Sequence, residues 1–177
     1  MARYHKLGEI PEKRHVQFRK PDGELYSEEL ISTIGFDSIY SLVYHTHIPT
    51  AIKEMEEPYS VAAEIAHSEN LKSRKYFGFQ VEPEDDFLES RKIVMTNSDC
   101  QISLSAPRKS MKDYFYKNAT ADEVIFVHKG QGVMHSLYGE NPFVPGDYIV
   151  IPRGTIYQLE FKDEDNRLFI VESSSPM

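Results

Sequence analysis

Residues 123–157 read EVIFVHKGQGVMHSLYGENPFVPGDYIVIPRGTIY, and this stretch decides the fold class. Its apolar runs at 123–128, 133–138 and 148–151 are cut by Lys129-Gly130-Gln131-Gly132, by a loop holding Gly139, Pro142, Pro145 and Gly146, and by Pro152-Arg153-Gly154. Short strands at this spacing, closed by Gly and Pro, predict an all-β antiparallel sandwich or barrel. Downstream, Tyr157, Leu159 and Phe161 alternate with Gln158 and Glu160, and the polar turn 163–166 leads into a further apolar run at 168–171. Upstream, Ile102, Leu104 and Ala106 alternate with Gln101, Ser103 and Ser105, which predicts a strand with its apolar set on the buried face. Phe77, Phe79 and Val81 alternate in the same way ahead of the polar loop 83–86, and residues 93–96 form another apolar run before the turn cluster Asn97-Ser98-Asp99.

The first sixty residues are punctuated differently, by Pro11, Pro21-Asp22-Gly23, Pro49 and Pro58, with no long helical period between them. Residues 24–34 suit either a short helix or an extended segment. The predicted organisation is an N-terminal arm of short strands and turns over residues 1–72, packed on a β domain over 73–177. Such an arm has too little periodicity for a core of its own, so it is expected to lie on something larger. In isolation the chain is expected to expose apolar patches and to self-associate.

At 177 residues the chain has the size of one domain plus an arm. Its net charge of −8 repels phosphate backbones and anionic lipid headgroups, which argues against nucleic-acid or charge-driven membrane binding. No apolar run reaches membrane-spanning length, and the N-terminus shows no export signal, so a soluble, cytoplasmic protein is expected. The single Cys100 excludes an internal disulfide and a Cys-rich zinc site.

Two histidine pairs are candidates for chemistry. His45-x-His47 would put both imidazoles on one face of a strand, a possible metal half-site, although no carboxylate lies beside it in sequence. His128 and His135 would face each other across a hairpin as a polar cross-strand pair. Gly130-Gln131-Gly132 is no dinucleotide loop, because no helix follows it. Residues 83–86 read as a solvated loop, too sparse in ligands for Ca²⁺.

The skeleton Tyr114-Phe115-Tyr116, Asp122-Glu123, Gly130-x-Gly132, then Gly146-Asp147-x4-Pro152-Arg153-Gly154-x2-Tyr157, resembles the two motifs of the cupin superfamily, whose members are double-sheet jelly-roll barrels. The resemblance implies that the positions holding metal in other cupins are here Tyr114, Tyr116, Glu123 and Tyr157. A neutral phenol is a poor ligand for a divalent ion at pH 7, and one glutamate cannot make the two-histidine, one-carboxylate face of non-haem iron. A degenerate, metal-free cup is therefore expected, with Glu123 taking donors such as the tyrosine hydroxyls.

A closer resemblance covers nearly the whole chain. Tyr4-His5-Lys6-Leu7-Gly8-Glu9-Ile10-Pro11, Phe18-Arg19-Lys20-Pro21-Asp22-Gly23, Tyr44-His45-x-His47-x-Pro49-Thr50, Asn97-Ser98-Asp99-Cys100, Asp113-Tyr114-Phe115-Tyr116-Lys117-Asn118-Ala119 and Phe169-Ile170-Val171-Glu172-Ser173 are similar to the start of homogentisate 1,2-dioxygenase. That resemblance implies an Fe(II)- and O2-dependent enzyme of tyrosine and phenylalanine catabolism, forming homo-oligomers, that opens the ring of a small aromatic acid, homogentisate, to maleylacetoacetate. In that family the iron ligands lie in the C-terminal half, so no catalytic or metal residue carries over onto this chain. The expected partner is that C-terminal half, and this segment would be structural. The alternative is a stand-alone cupin that binds or scaffolds without catalysis.

Overall fold

The computed structural model describes residues 17–34, 37–67, 70 and 72–177. They group into two compact units, Met1–Pro58 and Tyr59–Met177.

In the first unit the Pro21-Asp22-Gly23 turn, with Gly23 at φ +88°, precedes two paired antiparallel strands, β1 (Ser27–Ile34) and β2 (Asp37–His45). Residues 24–34 thus resolve to the extended alternative. Phe18 packs its ring on Tyr44 at 4.7 Å, and Ile31 is buried.

The second unit is an antiparallel double sheet. After a one-turn 3-10 helix at Gly78–Gln80 come β3 (Lys92–Thr96), β4 (Cys100–Ser105), β5 (Tyr116–Lys117), β6 (Asp122–Lys129), β7 (Gly132–Ser136), β8 (Gly139–Phe143), β9 (Tyr148–Ile151), β10 (Ile156–Phe161) and β11 (Arg167–Ser173). One sheet has the order β5-β10-β7-β8 and the other β3-β4-β11-β6-β9, so the chain alternates between layers as in a jelly roll. Between them lies a core of Ile125, Val127, Met134, Phe143, Ile151, Tyr157, Leu159, Leu168 and Ile170, with Phe87 and Met111 entering from loops. Among the described residues no helix is long and apolar enough to cross a membrane.

Three local expectations differ from what is observed. The Phe77/Phe79/Val81 alternation is not a strand but the 3-10 turn, which lies against the outer side of β4: a Cβ on Gly78 would sit 3.0 Å from Leu104 Cδ1. In β4 the predicted face is inverted. Ser103 and Ser105 are fully buried, and Ile102 and Leu104 point to the other side. The serines face inward because the loop residue Phe87 fills the space beside them; Ser90 and Ser105 share a 2.6 Å hydroxyl contact, and Ser105 also donates to the Phe87 carbonyl. Finally, β6 and β7 do not pair with each other. The Gly130-Gln131-Gly132 turn carries the chain from one sheet to the other, and a Cβ on Gly132 would fall 2.0 Å from the Glu160 carbonyl.

The loop at 83–91 is pinned rather than free in solvent. Glu84 forms a bridge to Pro107, Asp86 accepts from the Leu88 amide at 2.7 Å, Lys109 pairs with Asp85, and Phe87 and Ser90 are fully buried. Its last residue, Arg91, is delivered into the cup.

Candidate functional site

Strand register creates the site. Glu172 on β11 lies directly opposite Glu123 on β6, with Gln101 on β4 and Ile151 on β9 completing the row. All point between the sheets. Two carboxylates side by side repel each other, and Glu123 is fully buried, where an unpaired charge would cost several kcal/mol or more. Arg91 resolves this: its Nη2 stands 2.6 Å from Glu123 Oε1 and 2.7 Å from Glu172 Oε1. The remaining carboxylate oxygens are also served. Tyr157 donates its hydroxyl to Glu123 Oε2 at 2.9 Å, reaching across from the opposite sheet. Asn118 Nδ2 donates to Glu172 Oε2 at 2.9 Å, and Gln101 Nε2 adds a second bond to Glu172 Oε1 at 2.8 Å.

Aromatic rings enclose the guanidinium. The Phe87 and Tyr116 rings each lie 5.9 Å from its central carbon, within cation–π range, and Nη1 has no hydrogen-bond acceptor. Tyr116 meets Tyr157 edge-on at 5.5 Å, as expected for two tyrosines paired directly across β5 and β10. Burial disfavours the charge on Arg91, but Glu123 and then Glu172 outweigh it, so its pKa moves upward. Burial, with the negative charge of Glu123, raises the Tyr116 hydroxyl to about 12 and moves Tyr157 well above the ordinary phenol value. Both phenols are neutral throughout the physiological range, and the Tyr157 hydroxyl is a donor to Glu123.

Tyr116, Glu123 and Tyr157 therefore meet in the cup, around a guanidinium. Tyr114 does not join them: its hydroxyl bonds Asp86, and its carbonyl accepts from Gln158 Nε2 at 2.8 Å. Burial and the Asp86 bond push its pKa up. Sequence reasoning missed Arg91 and Glu172. The available signal was Glu123 itself, since a buried carboxylate without neighbouring histidines must find a cation elsewhere.

Neither histidine pair converges. β2 ends at His45, and His47 lies exposed in the bend that follows, so the two do not share a strand face. His45 Nε2 instead contacts Glu29 Oε2 at 2.7 Å on the neighbouring strand, a carboxylate that sequence adjacency did not reveal. His128 and His135 are on different sheets, which removes the expected cross-strand pair. His128 packs edge-on against Phe79 at 4.0 Å, while His135 Nε2 lies 3.1 Å from Glu160 Oε2.

The donor set does not suit the ferrous ion that the resemblance implies. Two carboxylates are spent on a guanidinium, the other nearby groups are neutral phenols and amides, and no three His, Cys, Asp or Glu residues cluster at metal-binding spacing among the described residues.

The family model described as homogentisate 1,2-dioxygenase N-terminal matches residues 38–176. The chain belongs to this family. It is 37% identical over 172 residues to a protein of Saccharolobus solfataricus provisionally described as a dioxygenase. That match covers 97% of this chain and 44% of the relative, so the chain spans less than half the relative's length. Among solved structures, a cupin-2 domain protein of Shewanella frigidimarina overlays 48% of this chain and 79% of its own, with 21% identity and a TM-score of 0.41. KdgF from Halomonas overlays 48% and 76%, with 19% identity and a TM-score of 0.44. The cupin-like architecture of this homogentisate dioxygenase N-terminal domain rests on its own sheet order, not on these partial overlays.

Proposed function

We propose that this chain is the N-terminal half of a homogentisate 1,2-dioxygenase, and that its cup serves structure rather than ring cleavage. The family match over residues 38–176 carries the first part of this reading. The second part is supported by Arg91, which bonds both cup carboxylates. In the whole enzyme a ferrous ion held by the C-terminal half would supply the centre for O2 and the aromatic acid; none of this chain's residues is assigned to it. What this half contributes is shape: a rigid double sheet, held at its centre by a fixed cation, against which a catalytic half and further subunits pack in a cytoplasmic homo-oligomer.

The test compares the native gene product, read to its own stop codon, with residues 1–177. Both are supplied with Fe(II), homogentisate and O2, and maleylacetoacetate is followed by its absorbance. The longer protein turns over and the shorter does not. Turnover by residues 1–177 alone would refute the structural role. A native product that binds no iron and leaves homogentisate intact would instead favour the second reading, a non-catalytic cupin scaffold, which the closed cup also suits.

A further inference from the structure

The two sheets treat their outer faces differently. On the four-stranded sheet the outward side carries His135, Glu140, Gln158 and Glu160, as a wetted antiparallel face should. The five-stranded sheet carries no such pattern. With Glu123, Ile125, Val127, Leu168 and Ile170 buried inward, the alternate residues face out, and the register lines them up in two rows. Leu104, Phe169, Phe126 and Tyr148 form one; Met95, Ile102, Val171, Val124 and Val150 form the other. From β4 to β9 both rows are apolar; on β3 the first row ends at Lys92, and the row beyond the second, Cys100, Ser173 and Asp122, is polar. Tyr148 is 70% exposed, Val150 58% and Met95 50%. A shallow apolar pocket of about 230 Å³ opens between Phe79 and the Leu104, Phe126 and Phe169 side chains. A sheet that is buried on its inner face and apolar across much of its outer one is patterned to be covered on both sides, and an apolar patch of this kind marks an interaction site.

We propose that this outer face is the seat of the polypeptide that follows the N-terminal half in the longer members of the family. The inference rests on the reading above that the chain is one half of a longer dioxygenase. Length supports that occupant: more than half of the Saccharolobus relative lies outside the match. Continuity supports it too. Arg153, just past Val150 and the end of β9, donates Nη2 to the Ser174 carbonyl, and the Met177 amide donates to Asp122 Oδ2. A chain continuing from there emerges beside the most exposed strand of the patch.

The experiment places a thiol on the face. In a Cys100→Ser background, Val150→Cys is made in the native gene product and in residues 1–177, and maleimide labelling rates are compared at several protein concentrations. Lys162→Cys, at the end of the four-stranded sheet, reports general accessibility. Labelling of the Val150→Cys thiol is expected to be at least about tenfold slower in the longer protein, with that of the Lys162→Cys thiol unchanged. A second measurement uses the pair Val150→Glu and Phe169→Glu. It should cut hydrophobic-dye binding by residues 1–177 severalfold with little change in Tm, and lower the Tm of the longer protein by more than about 5 °C, since it buries charge there. Equal labelling in the two lengths overturns the proposal. So does protection within residues 1–177 alone, which assigns the face to a second copy if it grows with concentration and to the chain's own residues if it does not. Ring cleavage with an unprotected face defeats the interface and spares the enzyme reading; protection without cleavage does the reverse.

Discussion

Replacing Arg91 with methionine tests the electrostatic logic of the cup. Methionine keeps much of the volume between Phe87 and Tyr116 and removes only the charge and the donors. Glu123, fully buried, is then left with the Tyr157 hydroxyl, and Glu172 with the Gln101 and Asn118 amides, while the two carboxylates still face each other in register. Removing one partner of a buried ion pair typically costs about 3–5 kcal/mol, because the other charge stays buried without compensation. For a chain of this size that corresponds to a loss of roughly 6–20 °C in Tm. Glu123→Gln should cost less, about 1–3 kcal/mol, since the amide oxygen can still accept from Tyr157 and Arg91 keeps Glu172. The decisive measurement is the double-mutant cycle by urea denaturation. In Arg91→Met/Glu123→Gln the like-charge contact is gone, so the double variant should be more stable than the sum of the single losses predicts, by at least about 1 kcal/mol. Additive effects, or a loss below about 1 kcal/mol for Arg91→Met, would mean that the guanidinium is not what holds the carboxylates together.

The raised phenols make stability fall at high pH. Tyr116 and Tyr157 start from an unfolded value near 10, and in the folded state Tyr116 is raised to about 12 and Tyr157 is also moved well above 10. Above pH 10 the unfolded chain therefore loses protons that the folded chain keeps; the stability is fully present below that point and declines through 12. Urea midpoints against pH should show this decline, and Tyr116→Phe should reduce it. Asp122 acts at the other end: burial alone would raise its pKa, but the Arg153 and Met177 amides and the Arg153 side chain lower it overall. Its stabilisation is present above pH 3.8 and lost as pH falls through the lower folded value, so Asp122→Asn should flatten the acid limb of the same curve. Gly132→Ala places a methyl 2.0 Å from the Glu160 carbonyl and 2.7 Å from Phe143, and should cost about 1–3 kcal/mol in thermal unfolding.

Strand positions in the C-terminal two thirds were legible because Gly and Pro close each run, and β6 to β11 fall where those breaks allow. Which face is buried was less legible. At β4 the rule that apolar alternates point inward assumes that the other side is wet, and here that side carries Ile102 and Leu104 in the apolar rows. Small serines could face inward because Phe87, from a loop that sequence periodicity cannot place, occupies the volume beside them. The same loop hid the centre of the site. Arg91 is 32 residues from Glu123 in sequence, in the ordinary polar string Glu89-Ser90-Arg91, and nothing short of the register between β6 and β11 shows that two carboxylates need a shared cation. The inward positions of Tyr116, Glu123 and Tyr157 were readable; their common partner was not.

A metal ion and a guanidinium answer the same demand in different ways. Carboxylates gathered between two sheets require positive charge, and a divalent ion supplies it while keeping coordination positions open to exchange with water or substrate. A guanidinium supplies one fixed charge in a plane, with its capacity spent on directed hydrogen bonds and ring faces. Arg91 uses Nη2 on both glutamates and lies between two aromatic rings, so it keeps no position where O2 and a phenolate could bind side by side. In exchange, the bonds that Arg91 makes to Glu123 and Glu172 need no metal ion. A cup built this way is suited to hold its shape, and the apolar surface available for interaction lies on the outside, along the two rows of the five-stranded sheet.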